Sequence, residues 1–191
     1  MSEIVFDIET VGDIKNRDLV KVTVVSIYDY ETDSYRSFEE PELDGLWPFL
    51  ERAERLIGYN SLSFDIPILN KYYAGDLTTF SNLDLLKIIK ESSGSRFKLN
   101  DIAKATLQIE KSADGLQATK WYEEGKIDEV KKYCEQDVRV TKELYEFGRK
   151  NRMLYYPTLT GNIMPIAVNF EPQPATARIV AEKNVNLTLP F

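Results

Sequence analysis

Residues 3–9, Glu-Ile-Val-Phe-Asp-Ile-Glu, decide the fold that is predicted for this chain. Large apolar side chains occupy every second position, a pattern that is typical of a strand inside a sheet. The same alternation places Asp7 and Glu9 on one face, roughly 6.6 Å apart. Two carboxylates at the end of a core strand repel each other and are costly to desolvate, and a divalent cation between them removes both problems. The alternative is that Asp7 only ends the strand and that Glu9 caps the next element.

The segments that follow predict an α/β domain with a mixed sheet. A valine-rich strand is expected at 19–30 and, after a polar turn, a third strand at 35–38. The other expected elements are a helix at 42–55, a strand at 55–59, a helix at 64–73, a strand at 77–80, and helices at 84–91, 99–107, 118–124 and 127–150. A strand hairpin followed by helices and short strands is typical of this fold class.

Composition narrows the chemistry that is available to the chain, which has 191 residues, one cysteine and no histidine. The absence of histidine excludes histidine triads, histidine general bases and zinc sites built on histidine. Any bound metal is then expected to be a hard cation held by oxygen, such as magnesium, manganese or calcium. The single cysteine excludes an internal disulfide and predicts a reducing, cytoplasmic setting. No apolar run approaches the ~20 residues of a membrane span, and the acidic start does not resemble a secretory signal.

Charge is distributed unevenly along the chain. The net charge is −7, which is unlike a protein that coats long nucleic acid but compatible with a site built from carboxylates. Residues 1–150 carry a net charge of −8 and residues 151–191 a net charge of +1. The second part also holds five of the eight prolines, Pro157, Pro165, Pro172, Pro174 and Pro190. We therefore expect a catalytic-sized domain at 1–150 and a Pro-rich extension at 151–191, with a partly ordered tail as the alternative.

Further acidic residues occur at two later points of the chain. Asp65 follows a short apolar strand and a polar turn, at the start of a helix, where an aspartate is also a common N-cap. Tyr133 and Asp137 lie on the apolar stripe of the longest predicted helix, about 6 Å apart along its axis. A carboxylate on the buried side of a helix needs a partner. The candidates are a basic side chain, a metal, or a core hydrogen bond from the tyrosine.

Four acidic residues and one tyrosine together carry a resemblance to a known family; in chain order they are Asp7, Glu9, Asp65, Tyr133 and Asp137. Their order resembles that of the DEDD superfamily of 3′–5′ exonucleases, in the form with tyrosine (DEDDy). The segments GYNSLSFDIPIL, NLDLL, KLNDIAKATL and YCEQDV are also similar to the proofreading domain of family B DNA polymerases and its stand-alone relatives. This resemblance implies a ribonuclease H-like fold, a mixed β-sheet flanked by helices.

The resemblance also implies a mechanism and a substrate. Asp7 would bridge two divalent cations, Mg²⁺ or Mn²⁺, with Glu9 and Asp137 completing one metal site and Asp65 serving the other. Tyr133 would orient the attacking water through its hydroxyl. The implied substrate is single-stranded nucleic acid with a free 3′ end, with DNA favoured, and the products are nucleoside 5′-monophosphates. A polymerase, a helicase or a repair complex is a candidate partner, and no membrane is expected.

Five further residues are candidates for contact with the substrate: Thr10, Asn60, Phe64, Arg96 and Lys98. Thr10 would contact the 3′-terminal nucleotide, Asn60 would support the second motif, and Phe64 would pack beneath its carboxylate. Arg96 and Lys98 belong to a flexible basic–aromatic loop suited to a strand's phosphates and bases. For each of these residues a purely structural role is the alternative.

Three other features are interpreted as structural. Asp84 is expected to cap a helix, and Cys134 is expected to be buried and to point away from the face of Tyr133. The segment Lys-Trp-Tyr at 120–122 is a candidate for base stacking, but core packing is the favoured interpretation. Strands near 163–170 are expected to extend the sheet or to pair with a partner chain.

Two other functions compete with the exonuclease. A haloacid dehalogenase-like phosphatase would use Asp7 as a nucleophile, but that motif normally has aspartate where this chain has Glu9. A non-catalytic nucleic-acid-binding module would keep the same fold. The complete set of carboxylates argues against the binding module, because a site without turnover would be free to lose them.

Overall fold

The computed structural model of the protein describes residues 2–13, 15–109, 115–158 and 160–171. Its main feature is a mixed sheet whose strands are β1 (Glu3–Val11), β2 (Lys21–Asp29), β3 (Ser34–Glu39), β4 (Arg55–Gly58) and β5 (Asn82–Asp84). The helices are α1 (Trp47–Arg52), α2 (Asp65–Leu69), α3 (Leu85–Ser93), α4 (Leu99–Leu107), α5 (Gly115–Glu123) and α6 (Ile127–Asn151). Helices cover both faces of the sheet, which confirms the predicted α/β class. The end of the expected extension, residues 172–191, lies outside the described residues.

Strand β1 lies at the centre of the sheet, whose order is β3-β2-β1-β4-β5. It runs antiparallel to β2 along nearly its whole length, with a register shift between Glu9 and Thr10. It runs parallel to β4 only at Glu3–Val5. Beyond Val5, the N–H and C=O groups of β1 that point towards β4 do not pair with that strand, so they can bind other groups.

The two faces of β1 enter two different hydrophobic cores. Ile4, Phe6 and Ile8 pack into one cluster with α1 and α2, and each is at most 6% exposed. Val5 enters the other cluster, together with Val138 of α6. Burying an aliphatic or aromatic side chain of this size stabilises a fold by about 1.5–3 kcal/mol. The acidic positions of β1 follow the same face as Val5, so they point towards α6.

Helix α6 crosses the face of the sheet that carries the acidic positions. Asp128 and Glu129 in its first turn and Arg149 and Lys150 in its last turn complement the helix dipole. Its apolar stripe is buried against β1 and β2. Positions 133 and 137 lie on this stripe, and the helix therefore presents them to β1.

The prediction of a strand at 77–80 is wrong. This segment forms a 3₁₀ turn at Leu77–Thr79, because the side chain of Asp76 accepts the backbone N–H of Thr78. Such a local hydrogen bond competes with strand pairing. The strand next to β4, at one edge of the sheet, is instead β5, which begins at Asn82.

Two predicted helices are shorter in the structure. The segment 42–55 is divided into a 3₁₀ turn at Glu40–Gly45 and helix α1, and Pro48 falls in the first turn of α1, where proline is tolerated. The helix expected at 64–73 ends at Leu69. Just beyond it, the side chain of Asn70 accepts the N–H of Leu77, which holds the following turns against the 3₁₀ segment.

The described part of the extension forms an antiparallel hairpin of β6 (Met153–Pro157) and β7 (Ile163–Ala167), so the prediction that this segment extends the main sheet is wrong. Phe170, just after the hairpin, is buried against Gly148, and a Cβ at Gly148 would collide with its ring. The buried Arg55 donates to the carbonyl of Phe170 at 2.7 Å and pairs with Glu3 at 2.5 Å. The hairpin and Phe170 are thus packed onto the domain, and a boundary at 150 stays a prediction.

Within the described ranges, no helix combines the length and the apolar character that a bilayer span requires.

Candidate metal centre

Three carboxylates meet at the second half of β1. Asp7 and Glu9 come from β1 and Asp137 comes from α6, and one oxygen of each lies within 4.8 Å of the others. Asp7 and Glu9 are half-buried, and Asp137 is 9% exposed. At this separation two like charges repel by about 3 kcal/mol in a medium of effective dielectric constant ~20. A group of carboxylate oxygens this close together fits a hard divalent cation.

A fourth carboxylate, Asp65, approaches β1 from another direction. It begins helix α2 and is almost completely buried. The backbone N–H of Ile8, between the two acidic positions of β1, donates a hydrogen bond to it. Burial, and then the charge of Asp84, raise the pKa of Asp65 to about 7. Asp65 thus lies beside the strand that carries the first two acids, although it is not a member of the group of three.

Tyr133 lies one helical turn before Asp137 on α6. Its side chain is 6% exposed, and its ring meets the ring of Trp121 edge-on, with 6.3 Å between the centroids. The spacing of four residues that the sequence indicated therefore places a phenol and a carboxylate on the buried face of one helix.

Comparison with known proteins identifies the family to which this fold belongs. A sequence family described as the RNase_H superfamily matches residues 4–147. The chain belongs to the RNase H superfamily. Among solved structures, the family B DNA polymerase from the hyperthermophilic archaeon Pyrobaculum calidifontis matches with a TM-score of 0.63 and 18% sequence identity. That match covers 78% of this chain but only 24% of the polymerase chain, and it shows a shared fold.

No curated protein matches the chain. Membership of the superfamily confirms the predicted ribonuclease H-like fold and supports a nuclease-type function that acts on nucleic acid. The group of three acids can hold a divalent cation, as nucleases of this superfamily typically do. The DEDD subtype with tyrosine stays a prediction.

Asp84 organises the RNase H-like site in a way that the sequence did not indicate. It caps α3 as predicted, accepting the N–H of Lys87 at 3.3 Å. The same buried carboxylate also accepts the N–H groups of Asn60 at 2.8 Å and Leu62 at 3.1 Å. It therefore holds the loop that leads to Asp65. The available signal was an aspartate between leucines in the segment NLDLL, which is unusual for an exposed cap.

The prediction that Cys134 points away from the site is wrong. Its thiol donates to the backbone carbonyl of Asp7 at 3.4 Å and lies 3.7 Å from the carboxylate of the same residue. Successive helical residues are turned by only about 100°, so Tyr133 and Cys134 can both face the sheet. Burial, and then the charges of Asp7 and Glu9, raise the pKa of the thiol well above its usual range, and it remains a neutral donor.

The remaining candidates for substrate contact lie around two loops. Thr10 is half-buried at the register shift of β1. Asn60 has a left-handed φ of 65°, and its side chain accepts a hydrogen bond from Arg96 at 2.8 Å. Phe64 packs partly into the core beside α2. Lys98 is exposed just before α4.

The loop that carries Arg96 is predicted to be flexible, but packing and a hydrogen bond hold it against the domain. Between Arg96 and Lys98, the ring of Phe97 packs against Tyr156, with 4.7 Å between the centroids. The hydroxyl of Tyr59 donates to the carbonyl of Phe97 at 2.9 Å. Phe97 is therefore used for packing, whereas the basic side chains of Arg96 and Lys98 are exposed.

Proposed function

We propose that this chain is a metal-dependent 3′–5′ exonuclease of the DEDD type with tyrosine. It would release nucleoside 5′-monophosphates from the free 3′ end of single-stranded nucleic acid, with DNA favoured. The observation that carries the proposal is the meeting of Asp7, Glu9 and Asp137 next to Tyr133. Asp65, buried against the strand that holds two of these acids, supports it.

The proposed mechanism assigns a task to each side chain. Two divalent cations, Mg²⁺ or Mn²⁺, would supply charge neutralisation at the scissile phosphate and at the attacking water. Asp7, Glu9 and Asp137 would hold one of them, and Asp7 with Asp65 would hold the other. Tyr133 would donate a hydrogen bond that orients the water, because a phenol ordinarily stays protonated near neutral pH.

The burial of the site favours a single strand as substrate. The carboxylates lie between the sheet and α6 and are at most half-exposed. The terminal phosphate of a duplex would reach them only if its end frayed, whereas an unpaired 3′ end needs no such opening. A cytoplasmic setting and a polymerase, helicase or repair partner remain expectations of this proposal.

An oligonucleotide carrying a 5′ label tests the proposal directly. With Mg²⁺ the protein should shorten the strand one nucleotide at a time, and a 3′ label should be released at once as a mononucleotide. Asp137→Asn should slow the reaction by roughly 10³-fold or more because it removes a charged group of the site. Glu91→Gln, an exposed acid on α3, is the matched control and should leave the rate unchanged.

Three results would contradict the proposal. A strand left intact with both Mg²⁺ and Mn²⁺ would exclude the nuclease and favour the non-catalytic binding module. Immediate release of the 5′ label would show that the protein digests the strand from its 5′ end. A wild-type rate in Asp137→Asn would show that the carboxylate group is not the site of reaction.

A further inference from the structure

Two adjacent aromatic residues of α5, Trp121 and Tyr122, have no task in the reaction proposed above, and Trp121 lies beside the candidate site. The ring of Trp121 lies edge-on to that of Tyr133. Trp121 also packs against a small cluster that includes Val24 and Cys134. Its position is therefore fixed by contacts with the walls of the candidate site.

Two of the three buried members of that cluster are linked to the acidic strand. Val24 is the partner of Glu9 in the pairing of β1 with β2. Cys134 contacts Asp7 through its thiol. The cluster thus connects Trp121 to the part of β1 that carries the two strand acids, and the ring of Trp121 meets the ring of Tyr133 on α6.

Neither aromatic ring is fully buried. Trp121 is half-buried and Tyr122 is 38% exposed, whereas the neighbouring Tyr133 is only 6% exposed. The interpretation of this segment as core packing is therefore wrong for Tyr122 and incomplete for Trp121. Apolar ring surface remains accessible to solvent next to a site that can hold a cation.

The charge of the chain indicates which part of a nucleic acid such rings would bind. The net charge is −7, and the candidate site is itself a group of carboxylates, so the protein as a whole does not attract a polyanion beyond the contacts proposed for the cations and for Arg96 and Lys98. Stacking of a base on an aromatic ring does not depend on charge. It strengthens binding by roughly tenfold per base, and it is tolerant of sequence.

We propose that Trp121 and Tyr122 form a stacking wall for the unpaired bases at the 3′ end of the substrate strand. This inference rests on the proposed exonuclease function and names the contact that would hold the strand at the carboxylates. The exposed rings take the bases, and the phosphate next to them reaches the acidic group.

The two tryptophans of the chain provide the test. Trp47→Phe leaves Trp121 as the only tryptophan, so its fluorescence reports on the candidate site. Trp121→Phe leaves Trp47 as the only tryptophan and serves as the control, because Trp47 packs against Tyr73 on the other side of the sheet. Both variants also carry Asp137→Asn so that the strand is not cut. Each is titrated in Mg²⁺ with ten-nucleotide oligothymidylate and oligouridylate, and with copies whose last two 3′ nucleotides lack bases. Anisotropy of a 5′ fluorescein label reports binding independently.

Trp121 fluorescence should be quenched by strands with intact 3′ bases, and Trp47 fluorescence should not change. Removal of the two terminal bases should abolish the quenching and weaken binding by roughly tenfold or more. Binding by anisotropy without a change at Trp121, or equal affinity for the strands without terminal bases, would overturn the stacking wall and leave the exonuclease proposal intact. If no strand binds and the wild-type chain also cuts none, the proposed function itself fails.

Tyr122→Leu is the second variant, because this exposed side chain can be replaced without disturbing the core. It should weaken the binding of intact strands by several-fold and leave the binding of strands without terminal bases unchanged. The same loss for both kinds of strand would show that Tyr122 does not contact bases.

Discussion

Replacement of Asp65 by asparagine should stabilise the metal-free protein at high pH while it removes the proposed activity. The side chain is 4% exposed. Burial, and then the charge of Asp84, raise its pKa from 3.8 to about 7, even though the N–H groups of Ile8 and of Asp65 itself hydrogen-bond to it. The wild-type protein therefore keeps an acid where a neutral group would be more stable.

The sign and size of the effect follow from this pKa. Because the folded state holds the proton more tightly than the unfolded state, the stability contributed by the protonated acid is complete below pH 3.8 and is lost as the pH rises through about 7. A shift of about 3 units corresponds to roughly 4 kcal/mol in total. About 2–3 kcal/mol of this is lost between pH 5 and pH 8. Asparagine is neutral throughout, and its Oδ1 can still accept the N–H of Ile8.

Thermal unfolding in EDTA, followed by circular dichroism from pH 5 to pH 8, measures this loss. The Tm advantage of Asp65→Asn over wild type should grow by roughly 5–10 °C across the range for a chain of this size. Mg²⁺ should narrow the difference at pH 8, because a bound cation offsets the buried charge of the wild type. Asp101→Asn, an exposed aspartate in the first turn of α4, is the control and should show no such growth. A Tm difference that stays constant from pH 5 to pH 8 would show that Asp65 does not titrate with a raised pKa in the folded protein.

Two further predictions concern the support of the site and of the hairpin. Asp84→Asn keeps one acceptor oxygen but turns an N–H group towards the N–H of Leu62, so it should lower the free energy of unfolding by about 1–3 kcal/mol, as measured in urea. The loosened loop should also weaken Mn²⁺ binding, which a Mn²⁺ titration measures. An unchanged Mn²⁺ affinity would show that this loop does not support the metal site. Gly148→Ala places a Cβ against the ring of Phe170 and should destabilise by about 1–3 kcal/mol in urea. Gly45→Ala, where a Cβ meets only ordinary contacts, should be nearly neutral, and equal losses in the two glycine variants would show that packing beneath the hairpin is not the cause.

The main strands and long helices were predictable because their sequence patterns are local. Strand β1 was recognised from its alternation, and the structure confirms that its acidic positions share one face with Val5. Helix α4 was predicted with the bounds that it has, Leu99–Leu107, and α6 within one residue of its end. In these segments the same residues that favour the element also bury its apolar side, so propensity and packing agree.

The errors occurred where a distant contact or a single side chain overrides the pattern. At Leu77–Thr79 the carboxylate of Asp76 replaces strand pairing with a turn. The hairpin after α6 packs on that helix through Phe170 instead of joining the main sheet. Alternating apolar residues indicate that one side of a segment is buried. They do not indicate whether the main sheet or another element covers that side.

The composition and the local spacings of the chain are enough to predict the kind of chemistry at the site. Without histidine and with one thiol, only oxygen ligands of hard cations were available, and the spacings within β1 and α6 put each pair of site residues on one face. Three features of the site became visible only in the folded chain. Acids 128 or more positions apart meet within 4.8 Å, Asp84 holds the loop of Asp65, and the thiol of Cys134 faces Asp7. Backbone periodicity fixes the direction of a side chain only relative to its own helix or strand. The distance between elements is fixed by the packing of all of them together.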